Sequence, residues 1–322
     1  MNTRRLGDRE VSALGFGCWA IGGPFSDIDG KPLGWGEVDD DESIAAIHTA
    51  LDLGVTFFDT ADVYGAGRSE RVLGRALRGR RDEVVIASKW GNVFDEDTKV
   101  LTGTDNSAQY MRTAIRATLT RLGTDHLDLY QLHTAPSVAD AEALADAAEE
   151  LVKEGLIGGF AWSTDDPERA AAWAGRPGYV AVQHELSVLH DAPEILGLCE
   201  QHGLASVNRT PLAMGLLGRR DSSRPATGAD IRSAAPEWLR FFDDGVPTAE
   251  WAAVVDSLRD ILTSDGRTLA QGALAWVRAR SARTIPIPGF RNVTQAKDNA
   301  GALAHGPLRP DQMSEIARLL HG

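Results

Sequence analysis

Read from its residues alone, the chain is expected to fold as a (β/α)8 TIM barrel, a single domain over residues 1–322 with an N-terminal β-hairpin and long loops at the C-terminal ends of its strands. Three observations carry this expectation. Eight short apolar runs, at 14–18, 55–59, 84–89, 127–133, 157–163, 179–185, 204–209 and 284–288, read as strands. Nearly all are separated by stretches of helical periodicity, several of them closed by glycine. No Pro/Ser-rich linker or block of charge divides the chain, and α/β barrels of this length occur as one unit.

Each element has its own signal. Leu6-Gly7-Asp8-Arg9 reads as the turn of a short hairpin. The first barrel run contains Gly15 and Gly17, which permit close backbone approach. Residues 23–36 form a Gly/Pro/Asp-rich loop carrying Trp35. Asp39 to Glu42 load a first helical turn with acid, and Ile44, Ile47, His48 and Leu51 form its inner stripe. The run from Val55 ends on Asp59, and Tyr64 follows in a glycine-closed loop. Ser69 is expected to cap the next helix. Val84 to Lys89 is apolar throughout until its last residue, as strands buried on both faces are. Helical patterns follow at 107–122, 138–154 and, opened by Pro167, after the run at 157–163. Strand, helix, strand repeat over 179–209. Residues 219–247 interrupt the rhythm, with Trp238, Phe241 and Phe242 embedded in polar sequence, and a loop of that length is usually functional. Helical patterns return at 248–262, 268–280 and 292–303.

Composition narrows the function. A net charge of −13 argues against nucleic acid or an anionic membrane as the main partner. No apolar run of membrane-spanning length is present, and no apolar stretch follows Met1-Asn2-Thr3-Arg4-Arg5 as a secretory signal would require. Cys18 and Cys199 are too few for a disulfide framework or a zinc cage, so a reducing, cytoplasmic setting and no resident metal are expected. Oligomeric state leaves no mark in the sequence.

In a barrel of this kind sites form at the C-terminal ends of strands. Asp59, Lys89, His133, Ser163 and Gln183 stand there, with Tyr64 in the loop after Asp59. Taken singly, each has a structural explanation, but together they converge on one mouth. A phenol titrates near 10, too high for easy proton exchange at neutral pH, and an adjacent ammonium would lower it. A carboxylate would hold that ammonium, and a neutral histidine would donate to a carbonyl oxygen. This is a set for protonating an oxygen as hydride reaches its carbon, so a hydride donor must bind.

At this point the sequence resembles the aldo-keto reductases. The matching segments are Phe57-Phe58-Asp59-Thr60-Ala61-Asp62-Val63-Tyr64-Gly65, Ser88-Lys89, Tyr130-Gln131-Leu132-His133, Trp162-Ser163, Val182-Gln183, Arg209 to Leu217 and Pro286 to Asn299, in the family's order. The resemblance implies NADPH-dependent reduction of an aldehyde or ketone, a catalytic tetrad of Asp59, Tyr64, Lys89 and His133, and Tyr64 as general acid. It places Ser163 and Gln183 at the nicotinamide carboxamide, with Thr164 where the family usually carries asparagine. It places Arg209 against the nicotinamide face and Thr210, Pro211 and Leu212 along the diphosphate. Gly289, Arg291, Gln295 and Asn299 fall at the adenine and 2′-phosphate region. Arg291 is the charge suited to that phosphate, although a surface role at a helix start is open to it. Among aromatics near the mouth, Trp19 joins the cofactor set. Trp35 and Trp90, with Trp238 or Phe242 from the long loop, are candidate substrate walls, though each is also compatible with core packing. The competing reading is a non-catalytic NADP(H)-binding sensor or regulatory subunit on the same fold.

Overall fold

The computed structural model describes residues 2–218, 228–234, 236 and 239–321. An antiparallel hairpin of β1 (Thr3–Leu6) and β2 (Arg9–Ser12) opens the chain, turning through Gly7. The barrel strands then run β3 (Phe16–Gly17), β4 (Phe57–Asp59) and β5 (Val85–Trp90). A surface hairpin of β6 (Asn92–Asp95) and β7 (Val100–Thr104) intervenes. The series resumes with β8 (Leu129–Leu132), β9 (Phe160–Ser163), β10 (Tyr179–Glu185) and β11 (Ala205–Arg209). A short hairpin of β12 (Phe242–Asp243) and β13 (Val246–Pro247) precedes the last strand, β14 (Thr284–Pro286). The eight-stranded sheet is parallel throughout, in the order β3-β4-β5-β8-β9-β10-β11-β14.

Helices alternate with these strands and cover the sheet. They are α1 (Asp40–Asp52), α2 (Arg68–Ala76), α3 (Ala108–Leu122), α4 (Val138–Lys153), α5 (Pro167–Ala172), α6 (Pro193–His202), α7 (Ala249–Leu262), α8 (Leu269–Arg280), α9 (Val293–His305) and α10 (Pro310–His321). Their starts follow the sequence chemistry. Asp39, Ser107, Ser137, Asp166 and Thr248 each accept a backbone N–H of the first turn, and Thr268 with Gln271 forms a reciprocal capping pair.

The sheet closes into a barrel through glycine. Gly15 N donates to Pro286 O at 2.9 Å and Gly17 N to Pro288 O at 3.0 Å, and Gly17 also bridges Gly289. A Cβ on Gly17 would lie 2.8 Å from the Ile287 carbonyl oxygen, and one on Gly15 would strike the Phe57 ring. Inside, Ala87, Ala161, Ala181 and Ala205 leave room for Phe57, Leu129, Val207 and Ile285, while Leu6 and Val11 of the hairpin plug the lower end. Each of the larger apolar side chains contributes about 2 kcal/mol by leaving water.

One expectation changes, and two elements appear that the sequence reading did not anticipate. Ser69 does not cap α2: Gly67, at φ +84°, takes the cap position two residues earlier, and Ser69 is buried. Its Oγ donates to Cys18 O at 2.8 Å and lies 2.8 Å from Thr60 Oγ1. The β6–β7 hairpin had no clear alternation, and Asp95 makes its turn by accepting from Asp97 N and Thr98 N. Helix α10 lies beyond the last helical pattern recognised in the sequence. Of the 219–247 loop, Trp238 and residues 219–227 lie outside the described residues, whereas Ile231–Ala234 form a 3-10 turn and Phe242 is buried in the packing beside α7.

Outside the barrel wall, His184 is fully buried between Glu185 O (3.0 Å from Nδ1) and Ser206 Oγ (2.8 Å from Nε2). Burial pulls its pKa down to about 4. The unfolded chain therefore takes this proton first. The stabilising contribution is complete above about pH 6.5 and is lost as pH falls from there towards 4, amounting to about 3 kcal/mol. Urea unfolding of wild type and His184→Asn at pH 7 and pH 4.5 checks this. The stability gap between them should narrow in acid, and a constant gap would mean that the ring titrates normally.

Candidate active site

Strand parity builds the floor of the mouth. Asp59 ends β4 facing inward, and Lys89 enters from β5 with no solvent exposure. Lys89 Nζ donates to Asp59 Oδ1 at 2.5 Å, to Thr60 O at 2.7 Å and to Tyr64 Oη at 3.3 Å. The other carboxylate oxygen, Asp59 Oδ2, accepts from Gln131 Nε2 and Gln183 Nε2, both at 2.7 Å. Gln183 Nε2 also reaches Gln131 Oε1 at 3.1 Å. The carboxylate is thus held from three strands, β5, β8 and β10.

Tyr64 is fixed by its loop and its neighbours. Its carbonyl accepts from Ser69 N, and Gly22 lies so close to the Tyr64–Gly65 backbone that its Cβ would be 2.9 Å from the Tyr64 carbonyl carbon. The phenol ring stacks on Trp19 at 5.9 Å and meets His133 edge-on at 5.8 Å. His133 N donates to Trp90 O, and its Nδ1 lies 3.2 Å from Asn92 Nδ2.

The electrostatics follow from burial and from one ammonium. Burial alone would lower Lys89, but the Asp59 carboxylate and Tyr64 outweigh it, and the lysine stays above its usual 10.5. Burial raises Tyr64 above 10, and the Lys89 ammonium offsets only part of that rise. The lysine therefore acts on the phenol in the expected sense, but desolvation is the larger effect. His133 is held well below 6.5 by burial and then by the Lys89 and Arg209 charges, so the ring is neutral at pH 7.

Above this floor lies a cavity of about 1130 Å³. Asp59, Tyr64, His133, Ser163 and Gln183 line its base, with Trp19 and Trp35 on one wall. Arg209, Thr210, Pro211 and Leu212 also border it, as do Gly289, Arg291, Gln295 and Asn299. Trp35 meets Trp19 at 5.5 Å, and Arg232 lies 4.9 Å over its ring. In the last group Arg291 Nη2 donates to Glu37 O at 2.6 Å, Gln295 Oε1 accepts from Arg291 N at 2.8 Å, and Asn299 Nδ2 donates to Gly289 O at 3.1 Å. Thr164 Oγ1 accepts from Asp166 N at 3.1 Å.

Trp90 departs from its expected place. It does not line the cavity but packs outside the barrel wall, 6.2 Å from Tyr130, because successive strand residues face opposite ways and Lys89 takes the inward position. Phe242 likewise sits in the packing beside Arg232 rather than on the cavity wall. Four residues at the site were not singled out from sequence: Asn92, Gln131, Asp165 and Arg232. Gln131 had a signal, as a polar residue two positions after another inward-facing residue of an apolar strand. Asp165 accepts from Glu185 N at 2.7 Å and pairs with Arg209, a contact from another loop that spacing does not reveal. Among the described residues no three His, Cys, Asp or Glu side chains gather as a metal site, and no helix is long and apolar enough to cross a membrane.

Comparison with known proteins agrees with this geometry. Residues 13–321 match the model of the Aldo/keto reductase family. Aldo-keto reductase yakc, NADP(+), of Schizosaccharomyces pombe is 30% identical over 311 residues, covering 94% of this chain and 86% of that protein. The holo form of the aldo-keto reductase AKR11C1 from Bacillus halodurans superposes with a TM-score of 0.79 at 28% identity, over 99% of this chain and 96% of that one. An aldo-keto reductase from Klebsiella pneumoniae in complex with NADPH gives a TM-score of 0.72 at 26% identity, over 99% and 95% of the two chains. With the barrel, the polar mouth and a family match spanning nearly all its residues, the chain belongs to the aldo/keto reductase family.

Proposed function

We propose that the chain binds NADP(H) and reduces the carbonyl of a small aldehyde or ketone, reversibly oxidising the alcohol. The observation that carries this reading is the single ammonium, Lys89 Nζ, shared between Asp59 Oδ1 and Tyr64 Oη on the cavity floor. Tyr64 is the general acid: its Oη hands a proton to the substrate oxygen. Lys89 stabilises the phenolate left behind, Asp59 keeps the lysine charged and aimed, and neutral His133 donates a hydrogen bond to the same oxygen. In oxidation the phenolate takes the proton back.

The residues present fit a dinucleotide. Among the described residues Thr210 Oγ1 is buried at the cavity without a protein partner, in a segment where Thr210, Ala213, Met214 and Gly215 all take left-handed backbone conformations. Gln183 already donates its amide hydrogens to Asp59 and Gln131, so its Oε1 is the atom offered to a carboxamide N–H, with Ser163 Oγ 3.5 Å away. In this reading Arg209 takes the nicotinamide face and residues 210–212 the diphosphate, which their place on the cavity wall supports. We assign the adenosine end to Gly289, Arg291, Gln295 and Asn299, which also line the cavity, and the NADP(+) in the yakc name supports that form of the cofactor. When bound, NADPH supplies the hydride. We place this activity in one barrel domain in the cytoplasm, a setting supported by two cysteines that are both buried free thiols.

Loss of NADPH absorbance with a reactive aromatic aldehyde tests the reading. Turnover with NADPH, weaker with NADH, is the expected result. Tight NADPH binding without turnover on any carbonyl would favour a sensor, and failure to bind either nucleotide would end the proposal. Arg291→Ala should weaken NADPH at least about tenfold, the scale of one lost charge-assisted hydrogen bond, and leave NADH unchanged. Titration by fluorescence quenching reads both affinities, and equal losses for the two would show that Arg291 does not contact the 2′-phosphate.

A further inference from the structure

Gly91 bends the chain out of the barrel wall. Its φ of +115° belongs to glycine, and a Cβ there would lie 2.7 Å from Thr134 Oγ1. The bend carries the next residue, Asn92, across the ring of His133. The Asn92 backbone is held on both sides: its carbonyl accepts from Tyr110 Oη at 2.6 Å, and the residue pairs with Thr104 in the β6–β7 hairpin. Its side-chain Nδ2 then lies 3.2 Å from His133 Nδ1.

In this rotamer Asn92 turns its amide nitrogen, which only donates, to the ring, and the ring nitrogen that accepts from it carries a lone pair. His133 is neutral and holds one proton, which this contact assigns to Nε2. Nε2 has no protein partner among the described residues, and the ring lines the cavity beside Tyr64. Were the proton on Nδ1 instead, the ring would turn a lone pair towards the substrate oxygen and repel it. We propose that Asn92 is a positioning residue that locks His133 in its Nε2–H tautomer, so that the imidazole presents a donor to the substrate carbonyl. This rests on the reductase reading above for its catalytic consequence, but not for the tautomer itself.

Asn92→Asp tests it with almost no change of shape. A carboxylate in place of the amide accepts rather than donates, so it should draw the proton to Nδ1 and leave Nε2 bare. Nitrogen NMR of the labelled imidazoles, with His133 assigned by its loss in His133→Gln, reads this directly. Expected are a bare Nδ1 and a protonated Nε2 in wild type, the reverse in Asn92→Asp, and a mixture in Asn92→Leu. With para-nitrobenzaldehyde, Asn92→Asp should lose about a hundred- to a thousandfold in kcat, the scale of one donor removed from an oxyanion site, with NADPH affinity unchanged. A wild-type proton on Nδ1, an unchanged tautomer in Asn92→Asp, or a reversed tautomer with unchanged kcat would each overturn the assignment. A wild type with the expected tautomer but no turnover supports the lock and counts against the reductase reading instead.

Discussion

Tyr64→Phe is expected to lower kcat at least about a hundredfold, the usual scale for a lost general acid, while NADPH affinity stays within about twofold. The change removes one oxygen and almost nothing else. The ring keeps its stack on Trp19 and its edge contact with His133, and Lys89 keeps Asp59 and Thr60 as acceptors. The site therefore stays assembled, and the loss reports proton transfer rather than collapse. Burial, which raises the phenol, keeps Tyr64 protonated at neutral pH, the form a reduction needs. Steady-state rates with an aromatic aldehyde and nucleotide titration separate the two quantities. A variant that turns over at the wild-type rate would show that the proton comes from elsewhere.

Lys89→Met should cost both activity and stability. Asp59 would remain in the barrel as a buried carboxylate without its cation, and breaking such a pair from one side destabilises by about 3–5 kcal/mol. Gln131 and Gln183 would still donate to Oδ2, but Oδ1 would lose its ammonium. Loss of the phenolate's counter-charge should lower kcat by at least about a hundredfold as well. The double variant Asp59→Asn/Lys89→Met separates the two effects, because it removes both charges together. It should recover most of the stability in urea unfolding and none of the activity. A single variant as stable as wild type would mean that the pair does not hold the floor of the barrel.

Much of this was legible in the sequence because parallel strands are covered on both faces. Their runs are apolar enough that Asp59, Lys89 and His133 stand out at the ends, and the acidic run from Asp39 to Glu42 marks the start of α1. What was not legible depends on parity and on distance in the chain. Trp90 follows Lys89 and was placed at the mouth by proximity, whereas alternation sends it outward. Gln131 and Gln183 converge on one oxygen of Asp59 across 72 and 124 residues, a meeting set by how neighbouring strands are staggered rather than by any local motif. Asn92 reaches His133 only because Gly91 bends the chain, and a lone Gly-Asn pair reads from sequence as an ordinary turn. Ser69 has the composition of a cap, but Gly67 takes that place and leaves its hydroxyl for Cys18 and Thr60.

The glycine–proline closure of the barrel bears on the unfinished sheet. Without the docking of Gly15 and Gly17, β14 would be an exposed edge of a parallel sheet, the kind of surface on which stray chains nucleate aggregates. Pro286 and Pro288 face that edge with carbonyls and no N–H, so a strand from another molecule finds acceptors there but no donors from these two residues. The opposite edge, β3, is two residues long. The nascent barrel is thus blunted at both ends of its sheet, and its own glycines are shaped to complete it where a foreign strand with side chains would meet the Ile287 carbonyl and the Phe57 ring.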